Sequence, residues 1–203
     1  MPQLSTHLHF SKLIAENADD DVHLCSFLLG IVSPDTFPDE ESYYDYHFLK
    51  ENDENGDDDI DVREFYERFN FKKMDKKTKS FVLGYYAHLW LDEYFKFNSS
   101  KLTLNNEFDL SDKDLGKSVK ELMRLFDEEI TGNYFDDIME ELEDFDLHLK
   151  LKSLKHVDIE RSKKLLIETY HEEKPTDVHE ELLDRKEYKS LMKKSVKRFF
   201  KSM

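Results

Sequence analysis

Apolar residues recur along this chain at spacings of three and four. Leu122, Leu125, Phe126 and Ile130 follow Ser118 in this way, and Leu165, Leu166, Thr169 and Tyr170 follow Asp158, each set backed by charged side chains. The pattern predicts helices near residues 4–17, 22–32, 41–51, 61–71, 77–97, 112–130, 134–147, 156–173 and 177–201. Breaks are expected at Ser33-Pro34, in the Asp/Asn-rich run 52–59, from Asn98 to Asn106 and at Lys174-Pro175, because Pro, Asn and Ser favour turns over helix interiors. Five Gly and four Pro in 203 residues are few for the hairpins and bulges of a β-rich protein. No repeat of fixed period is present. The expected fold is all-α, an irregular multi-helix bundle forming a single domain over 1–203, in which residues 1–97 carry the chemistry and residues 98–203 brace them.

One predicted helix stands apart. From Ser80 to Phe95, apolar or aromatic side chains cover almost every direction, which makes this helix central to the bundle. His88 and Asp92 nevertheless sit inside it. Residues four apart point the same way on a helix, so the imidazole and the carboxylate face one spot, and Gly84 one turn earlier leaves room beside them. A buried carboxylate needs a partner, since leaving it unpaired costs several kcal/mol. Two readings follow: His88 and Asp92 satisfy each other within the core, or they share a metal ion with ligands from other helices.

Further ligand types occur in apolar company. His7 lies between Thr6 and Leu8 at the start of the first predicted helix, with His9 and Phe10 after it. The apolar run Phe27 to Val32 ends at Ser33-Pro34-Asp35, and an ionised Asp35 at the negative pole of that helix is disfavoured unless a cation is near. His47 follows Tyr43, Tyr44 and Tyr46 and precedes Phe48. Each histidine alone reads more simply as structural. The five together make a set of three His and two Asp on apolar helices.

Met1-Pro2, Thr6-His7, Leu29-Gly30, Pro34-Asp35, His47-Phe48, Leu83-Gly84-Tyr85, His88-Leu89 and Asp92 stand in an order that resembles the zinc-dependent phospholipase C family, over about residues 1–97. The resemblance implies an all-helical phosphodiesterase, related in fold to the P1 and S1 nucleases. It implies that His7, Asp35, His47, His88 and Asp92 are zinc ligands and that Asp35 is the general base. Two departures bear on metal count. Asn98 stands where the family has a further His six residues past the Asp. The family's three-metal enzymes also use a processed N-terminus as a ligand, whereas this sequence begins at Met1 with no secretion signal. One or two zinc ions are therefore expected rather than three. A zinc ion held by imidazoles and carboxylates brings its bound water towards a pKa of about 7, which suits attack on a phosphodiester.

Other features carry two readings each. Tyr43, Tyr44, Tyr46, Tyr85 and Tyr86 are either core aromatics or the wall of a pocket suited to a quaternary ammonium. Asp53, Asn55, Asp57, Asp59, Asp61 and Glu64 have the ligand spacing of an EF-hand calcium loop, but Asp58 stands where that loop wants glycine; a solvated acidic loop is the simpler reading. Lys186 to Lys201 holds seven basic residues against Glu187 alone. Its apolar positions Leu191, Met192, Val196, Phe199 and Phe200 are expected to pack on the bundle with the lysines facing the acidic run 127–146, the alternative being peripheral contact with an anionic membrane.

Composition narrows the function classes. Lys plus Arg total 30 and Asp plus Glu total 46, a formal charge of −16, which argues against a nucleic-acid binder. Sixteen Phe and ten Tyr exclude a disordered chain. The single cysteine, Cys25, excludes a disulfide framework and is expected to be a core thiol. With no apolar run long enough to span a membrane, a cytoplasmic protein is expected. The leading expectation is a metal-dependent phosphoric ester hydrolase acting on a small phosphodiester or phospholipid. The alternatives are a silent relative that keeps a structural metal and a helical interaction protein.

Overall fold

The structure, a computed structural model, describes residues 2–18, 22–50, 59–99, 102, 113–176, 178 and 180–203. The described residues form α1 (Leu4–Asn17), α2 (Leu24–Val32), α3 (Glu40–His47), α4 (Val62–Glu67), α5 (Lys76–Asn98), α6 (Lys113–Thr131), α7 (Asp136–Asp144), α8 (Ile159–Tyr170) and α9 (Arg185–Ser202). A two-residue antiparallel pair, β1 (Leu49–Lys50) with β2 (Asp59–Ile60), interrupts them. The fold class is all-α, as the periodicity predicts. No helix among the described residues is long and apolar enough to cross a membrane.

Many of the acidic residues serve the helices themselves. Asp39, Asp61, Asp75, Asp158 and Asp184 each cap a helix N-terminus, their carboxylates accepting backbone N–H groups that have no partner within the helix. The cap at Asp184 corrects one expected boundary: α9 starts at Arg185 rather than near 177, because the Asp184 carboxylate takes the N–H groups of Lys186 and Glu187. The helix expected over 41–51 stops at His47. Phe48 there adopts a left-handed conformation (φ 53°) that ends α3 and turns the chain into β1.

α5 is buried along most of its length, and its main partner is α2. The two cross at Gly30 and Gly84. A Cβ on Gly30 would lie 2.0 Å from the Phe81 carbonyl oxygen, and one on Gly84 would lie 2.0 Å from that of Phe27. Only glycine permits this approach. The space beside Gly84 is thus filled by α2 backbone, which corrects the expectation of room left beside His88 and Asp92. Around this pair, α1 packs on α6, α2 and α9, while α8 lies against α2.

The C-terminal helix behaves as expected on one side only. Tyr188, Leu191, Met192, Val196 and Phe199 are buried where α9 meets α1 and α5. Its lysines do not face the acidic run. Among the described residues, the ion pair joining α9 to that run is Arg185 with Glu129, while Lys186, Lys189, Lys193, Lys194 and Lys197 line one open, solvent-facing strip. Cys25 is a core thiol, its pKa pushed up to about 12 by burial and by the neighbouring Glu141.

Candidate metal centre

The crossing of α2 and α5 decides where the polar side chains go. With the two backbones in contact, His88 reaches across and donates from Nδ1 to the Ile31 carbonyl at 2.7 Å. A carbonyl only accepts, so the proton sits on Nδ1 and Nε2 is turned inward. His47, at the end of α3, repeats the device with Nδ1 on the Tyr43 carbonyl at 3.2 Å. Beyond α2 the chain tightens into a 3-10 turn, Ser33–Thr36, that carries Asp35. Ser33 Oγ fastens this turn, lying 2.6 Å from the Leu29 carbonyl and 2.9 Å from Ser162 Oγ on α8.

Five side chains from four separate segments consequently meet. The His7 and His88 rings stack with centroids 3.8 Å apart, and Asp92 spans their Nε2 edges, with Oδ1 3.3 Å from His7 Nε2 and Oδ2 3.3 Å from His88 Nε2. His47 Nε2 is 3.4 Å from Asp35 Oδ1 and 3.8 Å from Asp92 Oδ2, and His88 Nε2 is 3.8 Å from Asp35 Oδ1. Among the described residues, His88 belongs to both groups that could hold a metal ion, His7–His88–Asp92 and Asp35–His47–His88. The reading of His88 and Asp92 as a self-sufficient pair does not describe this geometry.

The atoms converge without bonding. His47 Nε2, His88 Nε2 and Asp92 Oδ1 are buried and have no hydrogen-bond partner, a state that costs about 1–3 kcal/mol per group. Two ligands on one zinc, each bound at about 2.0–2.2 Å in tetrahedral geometry, would stand about 3.3 Å apart, close to the separations seen here. For His47 and His88, an inward Nε2 and an outer N–H fixed on a carbonyl are the arrangement of histidines that ligate a metal, whereas His7 Nδ1 has no hydrogen-bond partner. The residues present therefore fit a divalent cation.

The charges without an ion are consistent with this. Burial acts to lower the His88 pKa, but Asp35 and Asp92 outweigh it and hold it at about 9. His7 is lowered by burial and by the charge on His88. Burial would raise Asp92 and Asp35; the facing imidazoles override it and keep both carboxyls below their usual range. The centre is negative enough to fix a proton on His88, and a bound cation would take that place.

Only Asp35 opens outward, its side chain 33% exposed while the other four are buried. Tyr43 lies on the His47 ring with centroids 4.2 Å apart, and Phe37 packs against both. The other tyrosines belong elsewhere. Tyr85 donates to the Tyr46 carbonyl and Tyr46 to that of His156 at 2.6 Å, Tyr86 stacks near Phe65 and Tyr66, and Tyr44 is exposed. Asn98 donates to the Tyr94 carbonyl on its own helix.

Of the calcium-loop pattern, Asp53, Asn55, Asp57 and Asp58 lie outside the described residues. The rest is engaged: Asp59 accepts from Lys96 at 2.7 Å, Asp61 caps α4 and pairs with Lys50, and Glu64 pairs with Lys50 and Arg68.

A second buried cluster has no counterpart in the sequence reading. Asp127, expected on the acidic surface, is fully buried. It accepts from Thr6 Oγ1 at 2.6 Å, Tyr188 OH at 2.6 Å and His9 Nδ1 at 2.7 Å. The signal was present: Leu122, Met123, Phe126 and Thr131 define the inner face of α6, and position 127 falls on it. In comparisons with known proteins, no family model, curated protein or solved structure matches the chain.

Proposed function

We propose that this protein is a metal-dependent phosphoric ester hydrolase of the zinc-dependent phospholipase C type. The observation that supports it best is the set of inward, unbonded Nε2 atoms of His47 and His88 facing the carboxylates of Asp35 and Asp92. Imidazole nitrogen and carboxylate oxygen without thiolate is a donor set that suits zinc. His7, Asp35, His47, His88 and Asp92 would hold one or two such ions. Bound zinc supplies Lewis acidity, acidifying water and polarising a phosphoryl oxygen.

The chain's own residues do the rest. Asp35, at the mouth, is the general base: it accepts the proton of the attacking water and orients it. The Ile31 and Tyr43 carbonyls keep the His88 and His47 rings from turning, and Phe37 with Tyr43 screens one wall from solvent. A chain of charge −16 repels anionic substrates, so the lysine strip on α9 supplies the face that meets an anionic bilayer. Phosphodiester hydrolysis by zinc-loaded protein tests the reading. Asp35→Asn is expected to lower kcat at least about a hundredfold with zinc retained. Equal rates in the two proteins would overturn the assignment. A zinc-binding protein with no turnover in either form would instead be the silent structural reading, which Asn98 in the place of a further His favours.

A further inference from the structure

On the far side of α1, the ends of α6 and α8 border a cleft of about 240 Å³ that shares no residue with the metal centre. Ser5 and Thr131 line it and are only 8% and 5% exposed, and Glu128 joins them from α6. Ser5 Oγ, Thr131 Oγ1 and Glu128 Oε2 are all buried with no hydrogen-bond partner. The neighbouring groups are satisfied. Glu128 Oε1 accepts from Arg124 at 2.6 Å, and Tyr170 OH donates to Asp136 at 2.7 Å. The three unpaired atoms thus mark what the fold leaves undone, and each costs about 1–3 kcal/mol until something bonds to it.

The local charge says which sign that partner carries. α6 ends at Thr131 and α8 at Tyr170, so two helix C-termini, each with partial negative charge, border the same cleft. Glu128, Asp136 and Glu172 add three carboxylates, against Arg124, which pairs with Glu128 and Glu172, and Lys174 and His171 on the exposed rim. The positive pole of α7 also lies here, but its first turn carries Asp136 and Asp137. Cations are already drawn to this end of the molecule: Lys12 Nζ donates to the Ile130 carbonyl at 2.5 Å, and Arg124 pairs with Glu172 at 2.8 Å. The cleft is too large for a bare ion, and its hydroxyls suit a ligand with hydroxyls of its own.

We propose that this cleft binds a small organic ammonium compound bearing hydroxyl groups. The ammonium donates to Glu128 Oε2, and the ligand's hydroxyls exchange hydrogen bonds with Ser5 and Thr131. The proposal is independent of the metal centre and of its chemistry.

A matched pair of probes tests it on the full chain. 2-Amino-1,3-propanediol and glycerol share a skeleton and two hydroxyls and differ in one ammonium group. Titrated into isotopically labelled protein, the aminodiol is expected to shift the amide signals of Ser5, Thr131 and Gly132 to saturation. Glycerol should bind at least about tenfold more weakly, the scale of one charge-assisted hydrogen bond. Glu128→Gln keeps the side chain's shape and its bond to Arg124, and should weaken the aminodiol about tenfold while leaving glycerol unchanged. Thr131→Val, with its helical circular dichroism intact, provides a second variant and should weaken both probes. Equal affinity for the two probes, no saturable shift with either, or an aminodiol affinity untouched by Glu128→Gln would overturn the proposal.

Discussion

α1 carries two buried polar clusters on opposite sides, each setting histidine against a buried aspartate. Thr6 and His9 point to Asp127, whose carboxylate takes donors from both and from Tyr188 at 2.6–2.7 Å. His7 points to Asp92, where nitrogens and oxygens from three further segments stand 3.3–3.8 Å apart and do not bond. Burial of the central aspartate does not separate the two clusters. Hydrogen bonding does: the Asp127 cluster is closed and holds α1, α6 and α9 together, while the Asp92 cluster is open, with His47 Nε2, His88 Nε2 and Asp92 Oδ1 left without a hydrogen-bond partner. A buried His–Asp contact is a fastening when its donors and acceptors are paired, and offers a ligand set when several of them converge unpaired.

The largest effect that would break this contrast is expected at the closed cluster. Asp127→Ala leaves Thr6, His9 and Tyr188 without an acceptor and should cost about 4 kcal/mol in urea denaturation, with zinc uptake by the folded fraction unchanged. A loss below about 1 kcal/mol would mean that this cluster does not fasten the helices. Next comes the crossing that builds the open cluster. Gly84→Ala drives a Cβ into the Phe27 carbonyl and should cost about 3 kcal/mol while weakening zinc binding, since His88 is set by the same approach. Tyr188→Phe removes one bond to a buried carboxylate and should cost about 1.5 kcal/mol. Lys193→Gln with Lys197→Gln, on the solvent-facing strip, should change stability by less than about 0.5 kcal/mol yet reduce binding to vesicles containing phosphatidylserine.

The sequence shows the open cluster more readily than the closed one. His88 and Asp92 break an apolar helix, and His7, Asp35 and His47 stand beside apolar or aromatic residues, a contrast visible in one dimension. Asp127 sits among Glu128 and Glu129 and looks like surface until α6 is folded. Helix extents follow the same division. α1 and α5 lie within a residue of their expected bounds, α5 with its N-cap at Asp75 and α1 with no side-chain cap. The start of α9 and the end of α3 were set instead by one carboxylate at Asp184 and one left-handed residue at Phe48. Lysine placement failed for a different reason: helical spacing tells which face of α9 is apolar but not which element lies opposite the other face. The α6–α8 cleft is a tertiary product, since its unpaired atoms come from residues 5, 128 and 131 and no local pattern joins them.

The central claim, that the Asp92 cluster converges on a divalent cation, is tested most directly by the thermal stability of chelator-treated protein titrated with zinc, with metal content measured alongside. One or two zinc ions per chain, a melting temperature that rises with zinc, and loss of that rise in Asp92→Asn but not in Tyr188→Phe are the predicted results. A folded wild-type protein that takes up no zinc and melts at the same temperature at every concentration would contradict it.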